Sequence, residues 1–471
     1  MLVWKTLEEM TGVHVNWEYF PDDGLAEKKN IRIVSNDLPD VFLGCAFSKV
    51  EQFKYGEDGT LVDMIPYVTP EIMPNYYIVK EKYKSVRKGA TTPEGKLFSL
   101  PTIFDHDTKE LIIGVRMHIR SDWLKLVDME RPNNLEELYQ MLKAFYTKDP
   151  NANGKADEYP LACYTNFGSA LSATAGAFEL NTRGASSPFD WDEEKQAIRF
   201  PKVSENYKEQ LMYFNRLWKE NLINHDTLTL KTADFIALAT QEPRILGVIC
   251  GGGGPNIYGV GNEYEGSNVI ESESGAKMWN TAYAELVSTG NFVITKTNKK
   301  PAQTLHWYDY IYSKEGSILH FLGKEGETFY VNKDGKRRFV EDITNNPNGL
   351  TLDQAIGRYL SWPGGYYAAM IYDGVFQGSE AQPEAYEAAL RVWDYIPKEI
   401  WPGFSYTLDE NEILSSTGTD INTYVSECTA KFITGEMSFA EWDNYVKTIE
   451  KMGLKSLMDV YQAALDRYNK D

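Results

Sequence analysis

Residues 1–44 read MLVWKTLEEMTGVHVNWEYFPDDGLAEKKNIRIVSNDLPDVFLG and alternate between two hydrophobic periods. Leu2, Val3, Leu7 and Met10 recur at helical spacing, and Gly12 stands where a helix would stop. The run VHVNWEYF (13–20) alternates and is rich in β-branched and aromatic residues, so it is expected to be a strand. A helix near Leu25 to Val34 follows, and then LPDVFLG (38–44) as a buried strand. Helix and strand in turn argue for an α/β architecture.

The alternation continues along the chain. EGKLFSLPTI (94–103) reads as a hairpin or strand ending in a loop, and LIIGVRMHI (111–119) as a strongly apolar strand. Helices are expected at 121–128 and 134–147, then an amphipathic one at 204–222 with Leu211, Phe214, Leu217 and Trp218 on one face. RILGVICGGGG (244–254) is a strand running into glycines. They lack the spacing and the lysine of a phosphate loop, so a flexible turn is expected there. A strand over 284–295, a helix from Pro301 to Tyr312, an aromatic and glycine-rich stretch at 361–377, and helices at 417–433, 438–451 and on to Tyr468 complete the pattern. No internal repeat or long low-complexity linker interrupts it.

Composition excludes several classes. The 471 residues are 42% hydrophobic and hold no run of about 18 apolar residues, so no membrane-spanning helix is expected. A formal charge of −20 works against nucleic acid and anionic lipid surfaces. The cysteines Cys45, Cys163, Cys250 and Cys428 are scattered without a CxxC and read as small buried hydrophobes. No HExxH, GxSxG or cysteine-protease signature occurs, and the histidines are dispersed, so an enzyme is not expected. The aromatic content, 13%, would suit sugar C–H faces but equally suits a large core.

One loop carries chemistry. DPNANGKADE (149–158) places side-chain oxygens of Asp149, Asn151 and Asn153 at alternate positions, with Gly154 at the sharp turn. Lys155 offers its backbone carbonyl, and Asp157 and Glu158 close the set. That is the opening of an EF-hand-type loop, although the usual glutamate at position 12 is replaced by Glu158 at position 10. A solvated Asn/Gly turn after a helix explains the same residues.

WKTLEEMTGVHVNWE (4–18), SNDLPDVFLG (35–44), IRSDWLKLVDMERPNNLEELYQMLKAF (119–145), DPNANGKADEYPL (149–161), YFNRLWKENLINHD (213–226), YDYIYSKEGSILHFLGKEGETF (308–329) and the block 419–454 together resemble one group across the whole chain. It is the extracellular solute-binding protein family 1 of ABC importers, in its LplA-type, alginate-binding-protein-like lipoprotein branch. The resemblance implies a two-lobe α/β periplasmic-binding-protein-like fold (type II) whose lobes are joined by hinge crossovers near 113–117, 286–295 and 345–355. Lobe one would hold 1–112 with 292–345, and lobe two 118–288 with 352–471. Ligand would sit between the lobes and closure would be a hinge motion read by the permease subunits. The alginate-binding relatives hold a structural Ca²⁺ in the loop matching Asp149, Asn151, Asn153, Lys155, Asp157 and Glu158. Members carry a signal, a lipid-modified cysteine and a first strand ahead of the segment matching Trp4. The precursor is thus expected to be lipid-anchored at the extracellular cell surface, and the protein monomeric.

The resemblance makes ligand candidates of the loop aromatics Tyr55, Trp279, Trp307, Trp362, Tyr366, Tyr367, Trp401 and Tyr406. Asp40, Asp105 and His106 are added as hydrogen-bonding partners for sugar hydroxyls. Each competes with a packing role. Trp4, Trp191, Trp218, Trp393 and Trp442 are assigned to packing outright. The expected function is capture of an oligosaccharide, neutral rather than alginate-like given the acidic chain. The alternative is a carbohydrate-active enzyme, a lyase or glycosidase, with a structural calcium site.

Overall fold

Buried apolar side chains gather into two large cores, which define two lobes. The first core takes Val3, Trp4 and Leu7, residues between Met64 and Ile103, and residues between Leu286 and Phe376. The second takes residues between Ile113 and Trp279 and between Ala389 and Tyr468. The structure, a computed structural model, describes residues 2–21, 23–163, 166–360 and 367–470.

In the first lobe, Thr102–Phe104 lies between Met370–Ile371, parallel to it, and Leu286–Ser288, antiparallel. The chain continues to Phe292–Ile294, which pairs antiparallel with Val41–Leu43. The second lobe holds a four-stranded sheet in the order Tyr159–Ala162, Leu246–Gly251, Arg116–Arg120, Tyr264–Gly266. Its first pair is parallel and the others antiparallel.

Helix Leu135–Thr147 shows how the sequence builds a lobe. Asn134 caps it, accepting from the Glu137 amide, and Glu136 and Glu137 face the positive end of the helix dipole. Leu138, Met141, Leu142 and Phe145 follow at i, i+3, i+4 and i+7 and are all buried in the second core. Burying such side chains contributes roughly 1.5–3 kcal/mol each. Helix Thr419–Thr434 closes the same core against Glu205–Lys219. There Asn215 Nδ2 donates to the carbonyls of Phe432 and Ile433 at 3.0 Å, and Tyr207 and Thr429 share a 2.6 Å hydroxyl bond.

Among the described residues the chain passes between the cores three times. The first and second passages pair with each other: Ile113 bridges Ala282, Gly114 N donates to Thr281 O at 2.6 Å, and Tyr283 N donates to Ile112 O at 2.9 Å. The third lies after Phe376, the last first-core residue, and before Ala389 in helix Pro383–Trp393.

Several expectations are corrected here. The run 13–20 forms no strand, because alternation makes a strand only where another backbone supplies the ladder; instead Trp17 packs 5.1 Å from Trp4. The apolar run 111–119 divides into a short helix Lys109–Ile112 and the strand Arg116–Arg120, since apolarity alone does not tell the two apart. Residues 352–360 and 367–376 pack into the first core rather than with lobe two, and no passage lies at 345–355. The reason is tertiary: Met370–Ile371 pairs with Ile103–Phe104, and Ala355, Ile356 and Leu360 are buried beside them. The glycines at 251–254 are a packing seat rather than a loose turn. A Cβ on Gly253 would lie 2.8 Å from Ser379 Cβ, and one on Gly254 2.3 Å from the His118 ring.

Candidate functional site

Where the first lobe meets the loop before helix Leu408–Ile413, a small solvent-open crevice of about 30 Å³ lies between the lobes. Lys49, Gln52, Phe53, Thr91, Thr92, Phe98 and Thr289 form its first-lobe wall, and Ser405 and Tyr406 its second-lobe wall. Helix Lys49–Glu57 starts just beyond the carboxyl end of strand Val41–Leu43, the end at which open α/β sheets place their ligands. Ser48 and Glu51 form a capping box that fixes this helix start.

Lys49 occupies the first turn, where the helix dipole disfavours a cation. Its ammonium donates to Gly403 O and Phe404 O at 2.8 Å each and to Gly89 O at 3.4 Å, so it joins the two lobes. Burial lowers its pKa from 10.5 to about 8. Ser405 Oγ adds a second inter-lobe bond to Gly89 O at 3.1 Å, and Gln52 Nε2 spans Phe47 O and Thr289 Oγ1 at 2.8 and 3.0 Å. The walls thus combine hydroxyls, an amide and aromatic edges, the chemistry that holds a polyol.

A charged group is buried at the passages. Arg116, 1% exposed, donates to the carbonyls of Gly252, Glu110 and Ile113, tying the first passage to the glycine seat. Burial lowers its pKa to about 10. Glu110 is 3% exposed, and burial raises its carboxyl to about 7, with Asp373 adding to the rise and Arg116 opposing it. Burial also raises Glu380 and Asp353, each of which has a second acid or Ser379 as its neighbour. His118 lies against Arg116, and burial holds it neutral, down to about 3.

The loop Asp149–Glu158 folds on itself at the end of helix Leu135–Thr147. Asp149 accepts from Asn153 N and Gly154 N at 3.1 and 2.9 Å, and Asp157 accepts from the amides of Asn151 and Asn153 at 3.0–3.3 Å. Glu158 is 3% exposed, yet neither of its carboxylate oxygens has a hydrogen-bond donor. Its pKa is raised, first by burial and then by the charges of Asp157 and Asp149. Among the described residues no three His, Cys, Asp or Glu side chains converge as a metal cluster. The oxygen set of this loop is mixed, with amides and a main-chain carbonyl among its acids.

Of the residues singled out from sequence, Tyr406 lines the inter-lobe cavity. Asp105 accepts from Tyr83 OH at 2.9 Å, and His106 reaches Glu285 at 3.2 Å and stacks edge-on to Trp393, so these two sit beside the passages. Trp279 is buried in the second core, its indole donating to Val115 O at 3.2 Å. Trp401 is buried there too, with Phe189 at 5.3 Å and the Arg183 guanidinium over its ring. Tyr367 is buried in the first core, and Trp307 packs against it 6.2 Å from Trp4. Tyr55 lies edge-on to Phe47, and Asp40 is exposed at a strand start. Trp362 and Tyr366 lie outside the described residues. Sequence reasoning missed Lys49, Gln52, Thr91, Thr92, Thr289 and Ser405. Only the cation in a helix first turn was a readable signal.

A family model described as bacterial extracellular solute-binding protein matches residues 1–318. The chain is 26% identical over 483 aligned residues to the fructooligosaccharide ABC transporter substrate-binding protein FusA of Streptococcus pneumoniae serotype 4 (strain ATCC BAA-334 / TIGR4), covering 99% of this chain and 87% of FusA. The FusA EF-hand mutant in complex with fructo-nystose superposes with a TM-score of 0.74 at 23% identity, over 99% of this chain and 95% of that one. An HMO-binding, ABC-transporter-associated solute-binding protein from Bifidobacterium longum infantis ATCC 15697 gives 0.80 at 22%, over 99% and 95%. Alginate-binding protein AlgQ2 without calcium ion gives 0.72 at 20%, over 99% and 94%. These structures share the two-lobe fold.

Proposed function

Because the chain belongs to the bacterial extracellular solute-binding protein family, we propose that it is the extracellular receptor of an ABC importer and captures a neutral oligosaccharide between its lobes. The observation that carries this reading is the crevice at the lobe junction, walled from both sides by hydroxyl, amide and aromatic groups, which at about 30 Å³ would widen by lobe opening to admit a sugar. The chain passages would act as a hinge, so ligand bound to both walls would favour the closed form and present it to the permease. Neutrality is favoured because the Lys49 ammonium is occupied by main-chain carbonyls, which leaves it no donor for a uronate. The relatives reported above are named as binding proteins, which favours a receptor over a lyase or glycosidase.

A structural Ca²⁺ belongs to the same reading. The donor-less, buried carboxylate of Glu158 beside Asp149 and Asp157 fits a divalent cation, which would supply the missing positive charge. Asp149, Asn151, Asn153, Asp157 and Glu158 would hold it with the Lys155 carbonyl. The Asn151 and Asn153 amides must turn their oxygens inward to do so, a flip that exchanges near-identical atoms.

The test is a thermal-shift and calorimetry panel with kestose, neutral milk-type oligosaccharides and mannuronate oligomers, followed by chromatography of the sugars. A receptor raises its Tm with a neutral member and returns it intact. Cleaved product would replace the receptor with the enzyme, and binding of mannuronate alone would overturn neutrality.

A further inference from the structure

The scattered cysteines do not stay scattered. Tyr159–Ala162 and Leu246–Gly251 are neighbouring parallel strands in the register Leu161 with Val248 and Ala162 with Ile249. The next step of that register sets Cys163 opposite Cys250. Side chains opposite each other in a parallel pair share a face, and the packing follows this alternation. Leu161 and Val248 enter the large second core, whereas Ala162 and Ile249 enter the small core on the other face. Cys163 is buried in the large core, and Cys250 packs against it. Each thiol's pKa is raised by burial, and Cys163 contributes to the rise at Cys250, so the two sulfurs sense one another. Adjacent strands lie about 4.8 Å apart, inside the roughly 4.4–6.8 Å Cα separation that disulfides span. All four cysteines are free thiols; Cys45 packs against a separate small core and Cys428 sits on helix Thr419–Thr434 of the large core, and neither is paired in a strand register with another cysteine among the described residues.

We propose that Cys163 and Cys250 are a cross-strand disulfide site, closed by a small-molecule disulfide when the chain folds outside the cell. The proposal rests on the extracellular reading only for its oxidising surroundings; the juxtaposition of the thiols is independent of any ligand. The reaction is a double exchange. The Cys250 thiol loses its proton and attacks one sulfur of the small disulfide, releasing one small thiol. The Cys163 thiol then loses its proton and attacks the Cys250 sulfur of the mixed disulfide, releasing the second small thiol. Overall two protein S–H bonds and the small disulfide's S–S bond are broken, one protein S–S bond and two S–H bonds on the released small thiols form, and both electrons and both protons end on those small thiols. High thiol pKa values slow this in the folded protein, which places the reaction during folding, before the core closes. The bond would tie together the carboxyl ends of strands Tyr159–Ala162 and Leu246–Gly251, the second of which leads into the glycine seat.

The full chain is unfolded and reduced, then refolded with a mixture of oxidised and reduced glutathione or with dithiothreitol. Both products are alkylated in denaturant and weighed intact. The expected result is two alkylated cysteines after glutathione and four after dithiothreitol, with a peptide linking Cys163 to Cys250. The oxidised form should melt on the order of 5 °C higher. Cys163→Ser with Cys250→Ser should give two adducts in both media and a Tm indifferent to reductant. Four alkylated cysteines after glutathione refolding, or a linkage through Cys45 or Cys428, would overturn the proposal. A failed sugar panel would leave this result untouched.

Discussion

Replacing Lys49 by methionine should open the lobes. Its ammonium makes two short bonds to second-lobe carbonyls, Gly403 and Phe404, at 2.8 Å, and no ion pair among the described residues involves it. Bonds to a charged group are each worth about 1.5–3 kcal/mol, so the pair contributes roughly 3–6 kcal/mol to closure before costs. Burial opposes this: a pKa lowered from 10.5 to about 8 corresponds to roughly 3 kcal/mol of desolvation. Methionine removes that cost together with the bonds, but leaves two carbonyls without their donor, at about 1–3 kcal/mol each if they stay dry. With the carbonyls rehydrated the balance is a loss of about 0–3 kcal/mol, and a mid-range loss lowers the closed-to-open ratio on the order of 10-fold. Spin labels at Ile78 in the first lobe and Leu126 in the second, both 66% exposed, report the change by pulsed dipolar distance measurement without any ligand. The Lys49→Met distribution should move to longer distances and Lys49→Arg should restore part of the short component. Coincident distributions for wild type and Lys49→Met would show that the lysine does not hold the lobes together.

Other outcomes follow from buried groups. Burial raises the Glu110 carboxyl from 4.5 to about 7, so the folded state holds its proton more tightly than the unfolded chain. Its stabilising share is complete below about pH 4.5 and is lost as pH rises through about 7, to the extent of a few kcal/mol. Glu110→Gln should flatten the urea midpoint between those pH values, and an unchanged slope would assign the dependence elsewhere. Calcium should raise the wild-type Tm by several degrees, with chelator reversing it; Glu158→Gln should remove most of that rise, and an equal rise in the variant would refute the loop as the site. Phe145→Ala, at the centre of the second core, should cost about 3–5 kcal/mol in urea unfolding, whereas a loss under 1 kcal/mol would mean that the core refills the space.

Legibility in the sequence followed locality. Helices such as Leu135–Thr147 and Glu205–Lys219 were readable because cap, dipole and apolar face are written within one segment. The loop Asp149–Glu158 was readable as an oxygen-rich turn, and the structure adds that its last carboxylate is buried without a donor. The aromatic candidates fared differently. Trp279, Trp401 and Tyr367 are buried in the cores, since a large aromatic in a loop satisfies its apolar area wherever the fold offers cover. Apart from Phe53, Phe98 and Tyr406, the side chains that wall the crevice are mostly lysine, glutamine, threonine and serine, residue types too common on surfaces to be singled out beforehand.

The sequence by itself determined the alternation of helices and strands, the resemblance to two-lobe receptors, and a polar loop of metal-ligand type. These depend on spacings of a few residues, which chain geometry converts directly into faces and turns. Only the tertiary structure decided that 352–360 and 367–376 belong to the first core, that Gly253 and Gly254 pack against Ser379 and His118, and that Lys49 reaches across to Gly403. It alone set Cys163 beside Cys250. Each of these depends on contacts between segments distant in the chain, where closing the loop makes neighbours of residues whose local sequence carries no sign of one another.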